Sequence, residues 1–284
     1  MLATRPAAGV LANVAIGSLA VNSNTVFAMA STYGAIACGM IVFLPWRAWL
    51  PQLVCNKRLF FVRAGALLAA TATYTASLTM MPLATCVAAA QVTPLFVVVG
   101  TRIVLKEHVR VRDWLFFILC AAAVALILSP WRGVNDLLPV LLLTTSTILS
   151  ATSILATRQL SQLLGPTSGA APSMILMALM LVLPGYLWRP EYLRLIDYCL
   201  IGLSAGLLAI SELGLAILLS RFPTPFVVSF QFLRLPWAVV IGVLLLGEVP
   251  NTREAVGMIV LCGLLVAYTA RPILPIRLSR GRKT

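Results

Sequence analysis

Ten apolar stretches of about 17–25 residues, parted by short polar breaks, run through this chain and leave no room between them for a soluble domain. A helix needs about 20 such residues to cross a bilayer. Hydrophobic residues make up 61% of 284 positions and charged residues 10%, too little polar material to cover a water-facing surface. In hydrocarbon every backbone group must be satisfied internally, so a spanning segment is a helix or part of a closed barrel. The runs are continuous rather than alternating, which selects helices. The expected fold is an all-α integral membrane protein with spans near 8–29, 33–50, 59–79, 82–105, 113–130, 137–157, 169–188, 195–219, 224–247 and 253–271. The weakest of the breaks is 29–33, where Ser31, Thr32, Tyr33 and Gly34 interrupt a long apolar run.

The formal charge is +13, yet its distribution points to a membrane surface and not to nucleic acid. With the amino terminus inside, sixteen Lys and Arg fall on inner loops: Arg5, Arg47, Lys57, Arg58, Arg63, Arg102, Lys106, Arg110, Arg112, Arg158, Arg221, Arg271, Arg277, Arg280, Arg282 and Lys283. Only Arg132, Arg189, Arg194 and Arg253 fall outside. That asymmetry sets both termini in the cytoplasm. Arg5, an apolar run and Ala28-Met29-Ala30 have the outline of a signal peptide. Asn22 and Asn24 interrupt the run, and removal would undo the orientation, so the segment is read as the first span. The six cysteines have no paired spacing and read as packing residues; His108 has no partner ligand near it in sequence. No metal or cofactor is expected.

The chain also repeats itself. At an offset of 141 positions the fourth and fifth stretches lie on the ninth and tenth without a gap: Pro82 meets Pro223, Leu105 meets Leu246, Glu107 meets Glu248, Arg112 meets Arg253 and Asp113 meets Glu254. Five spans per half is odd, so the second half enters from the opposite side. The loop "LKEHVRVRD" then falls inside and its counterpart "LGEVPNTRE" outside. Duplication with reversed charge bias is the pattern of an inverted-repeat carrier, with halves 1–131 and 132–284. The first and sixth stretches sit nearer 128 positions apart, so loops of unequal length are absorbed there.

The segment "MPLATCVAAAQVTPLFVVVGTRIVLKEHVRVRDW", with its small residues, mid-helix proline and following Glu, recurs as "PFVVSFQFLRLPWAVVIGVLLLGEVPNTREAVGMIVLCGLLVAY". In these segments the chain resembles the drug/metabolite transporter superfamily, in particular its EamA-type ten-helix carriers. They cover about a quarter of the sequence, and the span count covers the rest. The resemblance implies transport of amino acids and their analogues, cationic toxicants, vitamins such as riboflavin, or S-adenosylmethionine. The second span, "STYGAIACGMIVFLP", lacks the arginine that many relatives place there.

Two ionisable residues stand well inside the apolar runs, Glu212 and Arg234. A charge at membrane depth costs roughly 2.5–3.5 kcal/mol on insertion scales, so it needs a partner or a wet cavity. Each lies eleven residues from Pro223 in the short "RFPTP" turn, which puts the two at one depth, as an ion pair or facing a shared cavity. Phe230, Gln231, Arg234 and Trp237 recur at helical spacing. Such a stripe either packs a core or offers a guanidinium and an amide flanked by aromatics to a carboxylate-bearing body. Pro94 and Pro236 interrupt the fourth and ninth spans one residue off the repeat register, each freeing a backbone carbonyl. Polar residues gather on the first, third and sixth spans, and with Asn22, Tyr74 and Gln91 they suggest that spans 1, 3, 4, 6, 8 and 9 line a path. Glu107 and Glu248, at loop entrances, fit a capping or loop-bonding role.

The function expected is secondary transport of a small polar or amphipathic organic metabolite across the bacterial inner membrane, with export of amino-acid-like compounds favoured. No GxxxxGK[ST] sequence occurs. Uptake of a vitamin or nucleoside-like cofactor is the alternative within that class, and a structural or sensory membrane protein the alternative outside it. No enzyme is expected, because the acid, His and nucleophile clusters that membrane hydrolases need are missing. The partners expected are a small-molecule substrate, membrane lipid and, as an open option, a second copy of the chain in a homodimer.

Overall fold

A computed structural model of the chain describes residues 6, 8, 11, 25–43, 55–78, 80, 90–128, 137–187, 194–241 and 252–270. Within them the apolar runs form helices: α1 (Thr25–Phe43), α2 (Lys57–Leu78), α3 (Thr93–Ile103), α4 (Val111–Leu128), α5 (Leu137–Leu164), α6 (Pro166–Leu187) and α7 (Leu195–Arg221). They continue with α8 (Thr224–Ser229), a 3-10 turn over Phe230–Leu233, α9 (Arg234–Ile241) and α10 (Thr252–Thr269). No strand occurs among the described residues.

Among the described residues three helices, Leu138–Leu164, Gly169–Leu187 and Leu195–Arg221, are long and apolar enough to cross a membrane. Large apolar side chains also stand exposed on outward faces, among them Leu179, Val182 and Leu183 on α6 and Ile259, Val260 and Val266 on α10. Contiguous exposed apolar surface of this kind is not left facing water. Among the described residues the fold is all-α, and its long apolar helices are those of a membrane protein.

The expected break at 29–33 is not a break. α1 runs straight through it, because Ser31 and Thr32 turn their hydroxyls back to the Ala28 carbonyl at 3.0 and 2.8 Å. Hydroxyls satisfied within their own helix interrupt nothing.

The polar ends of the helices are specified locally. Asp113 Oδ2 accepts from the Arg110 backbone N–H at 3.1 Å, and Asp197 Oδ2 from that of Arg194 at 2.8 Å. Each carboxylate thus serves a first helical turn, where a negative charge also suits the helix dipole. Between α5 and α6 stands a single residue, Gly165, at φ +88°. Glycine takes that left-handed conformation without a Cβ clash, so the two helices reverse direction in one step.

Two apolar cores hold the bundle. One joins α3, α4, α5, α7, α8 and α10 around Phe117, Leu219, Val228 and Leu261; Phe116 stacks on Tyr268 with centroids 4.2 Å apart. The other joins α1, α6 and α7 around Met40, Met174 and Met177. α7 contributes to both. α1 packs on α6, α3 on α8 and α4 on α10, while α2 lies along α5.

Candidate functional site

The carboxylate of Glu212, on α7, meets the guanidinium of Arg63, on α2, with Nη2 to Oε2 at 3.2 Å. Arg63 is 0% exposed and Glu212 17%. All three nitrogens of Arg63 donate. Nε donates to Thr157 Oγ1 at 2.6 Å, and Nη1 to the Ala170 carbonyl at 2.9 Å and to Ser173 Oγ. The cation is therefore caged by α5, α6 and α7. Leaving it unpaired there would be costly, and the fork of donors explains why an arginine stands in that place. Glu212 is not so enclosed: its second oxygen has no hydrogen-bond partner among the described residues. Tyr33 of α1, buried, completes the setting, within electrostatic reach of both charges.

This corrects two expectations. Arg63 is not a loop cation but a buried residue in the second turn of α2. Of the two arrangements expected for Glu212 and Arg234, the ion pair is not formed: the charge that meets Glu212 is Arg63, and the guanidinium of Arg234 is half-buried with no partner among the described residues.

A second pair lies beside the first. Arg158, one residue beyond Thr157, donates through Nε to Glu107 Oε1 at 3.0 Å and through Nη1 to the Phe222 carbonyl at 3.1 Å. Glu107 Oε2 accepts from Thr224 Oγ1 at 3.2 Å. With its amide oxygen turned inward, Gln162 also accepts from Arg158 Nη2 at 2.9 Å. Glu107 thus bonds across loops, as its position suggested. These contacts bring three segments to one end of the bundle: the α3–α4 connection, the last turns of α5 and the α7–α8 turn.

Both proline-bearing spans depart from regular helix. Before α3, Gln91 and Val92 form a turn, and Pro94 sits in the first helical turn, where its missing N–H costs nothing. In the ninth span the chain tightens into the 3-10 turn at Phe230–Leu233, just ahead of Pro236. Pro236 has no N–H to give the Phe232 carbonyl, and the backbone N–H of Arg234 reaches that oxygen instead. Gln91 and Gln231 stand at these two departures, 4% and 6% exposed. Neither amide has a hydrogen-bond partner among the described residues.

The remaining candidates divide. Phe230 packs edge-on against Phe226 at 5.3 Å, and the 3-10 turn aligns Gln231 with Arg234. Trp237 is 37% exposed. Tyr74 is half-buried on α2, its carbonyl accepting from Ser77 Oγ at 2.7 Å. Asn22 and Glu248 lie outside the described residues.

The offset found in the sequence recurs in the contacts. Thr32 Oγ1 lies 3.0 Å from Ser204 Oγ, and Arg63 reaches Ser173. Thr32 and Ser173 are 141 positions apart, and so are Arg63 and Ser204.

No family model matches the chain, and no curated protein matches it. Among solved structures 27 chains match. One crystal structure, 14% identical in sequence, aligns over 95% of this chain and 95% of its own with a TM-score of 0.74. At that identity the likeness speaks for the fold alone, and the chain shares that fold over nearly its whole length.

Proposed function

We propose that this protein is a secondary carrier of the bacterial inner membrane, of the EamA type, moving a small polar or amphipathic organic metabolite between two inverted five-helix repeats, 1–131 and 132–284. Export of an amino-acid-like compound is the favoured form. The observation that carries this reading is the pair Gln91 and Gln231, each little exposed, each placed where a helix is interrupted, and each with an amide that has no hydrogen-bond partner among the described residues. Neither amide's atoms are among the fully enclosed side-chain atoms without a partner, so each amide reaches open space, where a ligand or water can supply its bonds. Irregular backbone at membrane depth is tolerated in the same circumstance, next to a cavity. Arg234 and the open oxygen of Glu212 add one group of each charge for a zwitterionic body, and the shared 141-residue offset in two cross-bundle contacts supports the repeat.

Purified protein in liposomes, offered radiolabelled amino acids and their analogues, is expected to move at least one of them. Gln231→Leu and Arg234→Ala are expected to fold and to lose that transport. Wild-type transport by both variants would remove the site. Labelling that put "LKEHVRVRD" and "LGEVPNTRE" on the same side would remove the inverted repeat.

A further inference from the structure

We propose that Glu107, Arg158 and the α7–α8 turn form a latch that holds one end of the seam between the two halves closed, and that each transport cycle opens it. The inference rests on the carrier reading above. Three observations converge on it.

The network ties a connecting segment of the first half to two segments of the second at one end of the bundle. Glu107 belongs to the α3–α4 connection of the first half. Arg158 belongs to α5, and Phe222 and Thr224 to the α7–α8 turn, all of the second. Apolar contacts slide at small cost, whereas a guanidinium with every nitrogen engaged fixes one arrangement.

The burial of the pair is uneven, with Arg158 2% exposed and Glu107 24%. A wholly dry pair would lock the end permanently, and a wholly wet one would hold nothing. Here water already touches the carboxylate and can take over its bonds as the arginine withdraws.

The backbone beside Glu107 is strained. Lys106 has φ +53°, the left-handed region, and is the one non-glycine residue there among the described residues. A lysine held in that conformation persists where surrounding contacts over-determine it, as at switch segments. The contacts in question are the Glu107 side-chain bonds and the bond from the Glu107 N–H to the Thr101 carbonyl at 3.2 Å. Letting go of Arg158 and Thr224 lets Lys106 relax, so strain and latch oppose each other. The turn that the latch grips leads directly into α8 and the 3-10 turn carrying Gln231, which connects release at this end with the polar site.

The test locks the latch covalently. Glu107→Cys/Thr224→Cys is oxidised in proteoliposomes, cross-linking is verified by mass spectrometry, and uptake of a radiolabelled L-amino-acid mixture is followed before and after reduction. Locked protein is expected to fall to the leak of empty liposomes and to recover on reduction. Equal transport in both states overturns the latch while leaving the carrier intact. A wild type that moves nothing in the mixture or in the analogue panel removes the carrier reading, and the latch with it. In parallel, Glu107→Gln is expected to raise amide hydrogen exchange about tenfold, the effect of losing about 1.4 kcal/mol, both at 104–110 and in 222–229. A rise confined to 104–110 also overturns the proposal.

Discussion

Thr157 and Arg158 are consecutive on α5 and serve different ion pairs: Thr157 Oγ1 accepts from Arg63 Nε at 2.6 Å, and Arg158 Nε donates to Glu107 at 3.0 Å. One helix therefore positions both buried guanidiniums, and neighbouring side chains point to separate networks because successive residues on a helix turn by about 100°. Replacing Thr157 by Val keeps its volume but deprives Arg63 of an acceptor. Thermal unfolding in detergent is expected to show a loss of about 1–3 kcal/mol.

The Arg63–Glu212 pair is unequal in its burial, so its two halves respond unequally to removal. Glu212→Leu leaves a fully enclosed cation without its counter-charge, for which a loss of about 3–5 kcal/mol is typical. Arg63→Met leaves a carboxylate that already touches open space and is expected to lower the unfolding temperature less. The reverse order in a thermal melt would contradict the cage described here.

Two glycines distinguish rigid from yielding contacts. A Cβ on Gly169 would stand 2.9 Å from the Leu160 carbonyl carbon and 3.0 Å from the Ser161 nitrogen, both backbone. A Cβ on Gly100 would meet the Leu155 side-chain tip, which can rotate away. Gly169→Ala is expected to destabilise by about 1–3 kcal/mol and Gly100→Ala by less, as overpacked side chains relax more cheaply than backbone. Chemical denaturation in mixed micelles compares them.

Tyr268 donates to Asp113 Oδ1 at 2.8 Å while its ring stacks on Phe116. Tyr268→Phe removes the bond and keeps the stack. A loss of about 1.5–3 kcal/mol is expected, the range for a hydrogen bond to a charged acceptor. Tyr268→Ala removes both and is expected to cost more, which the same unfolding assay resolves.

What was legible in the sequence follows from the range of each interaction. Apolar runs reveal helices because burial and backbone satisfaction act within one segment, and Glu212 stands out because an acid in such a run has no local excuse. Pro236 and the tightened turn before it are local too. Arg63 reads as a loop cation because it sits one turn beyond Lys57 and Arg58, where a cation ordinarily faces head groups. Its burial comes from partners 94 to 149 positions away, which no local pattern displays. That the counter-charge of Glu212 is Arg63 rather than Arg234 has a related reason: counting residues from a turn gives depth but not the direction in which a side chain points. Ser31 and Thr32 look like a break only if their hydroxyls need water.

Gly165 has a mechanical consequence. A one-residue joint between α5 and α6 has no slack, and the Gly169 backbone lies hard against Leu160 on the other arm. Those two arms therefore travel as a single strut during any rearrangement. If the proposed latch opens, the separation of the arginines from their acids would have to come from the pieces around that strut.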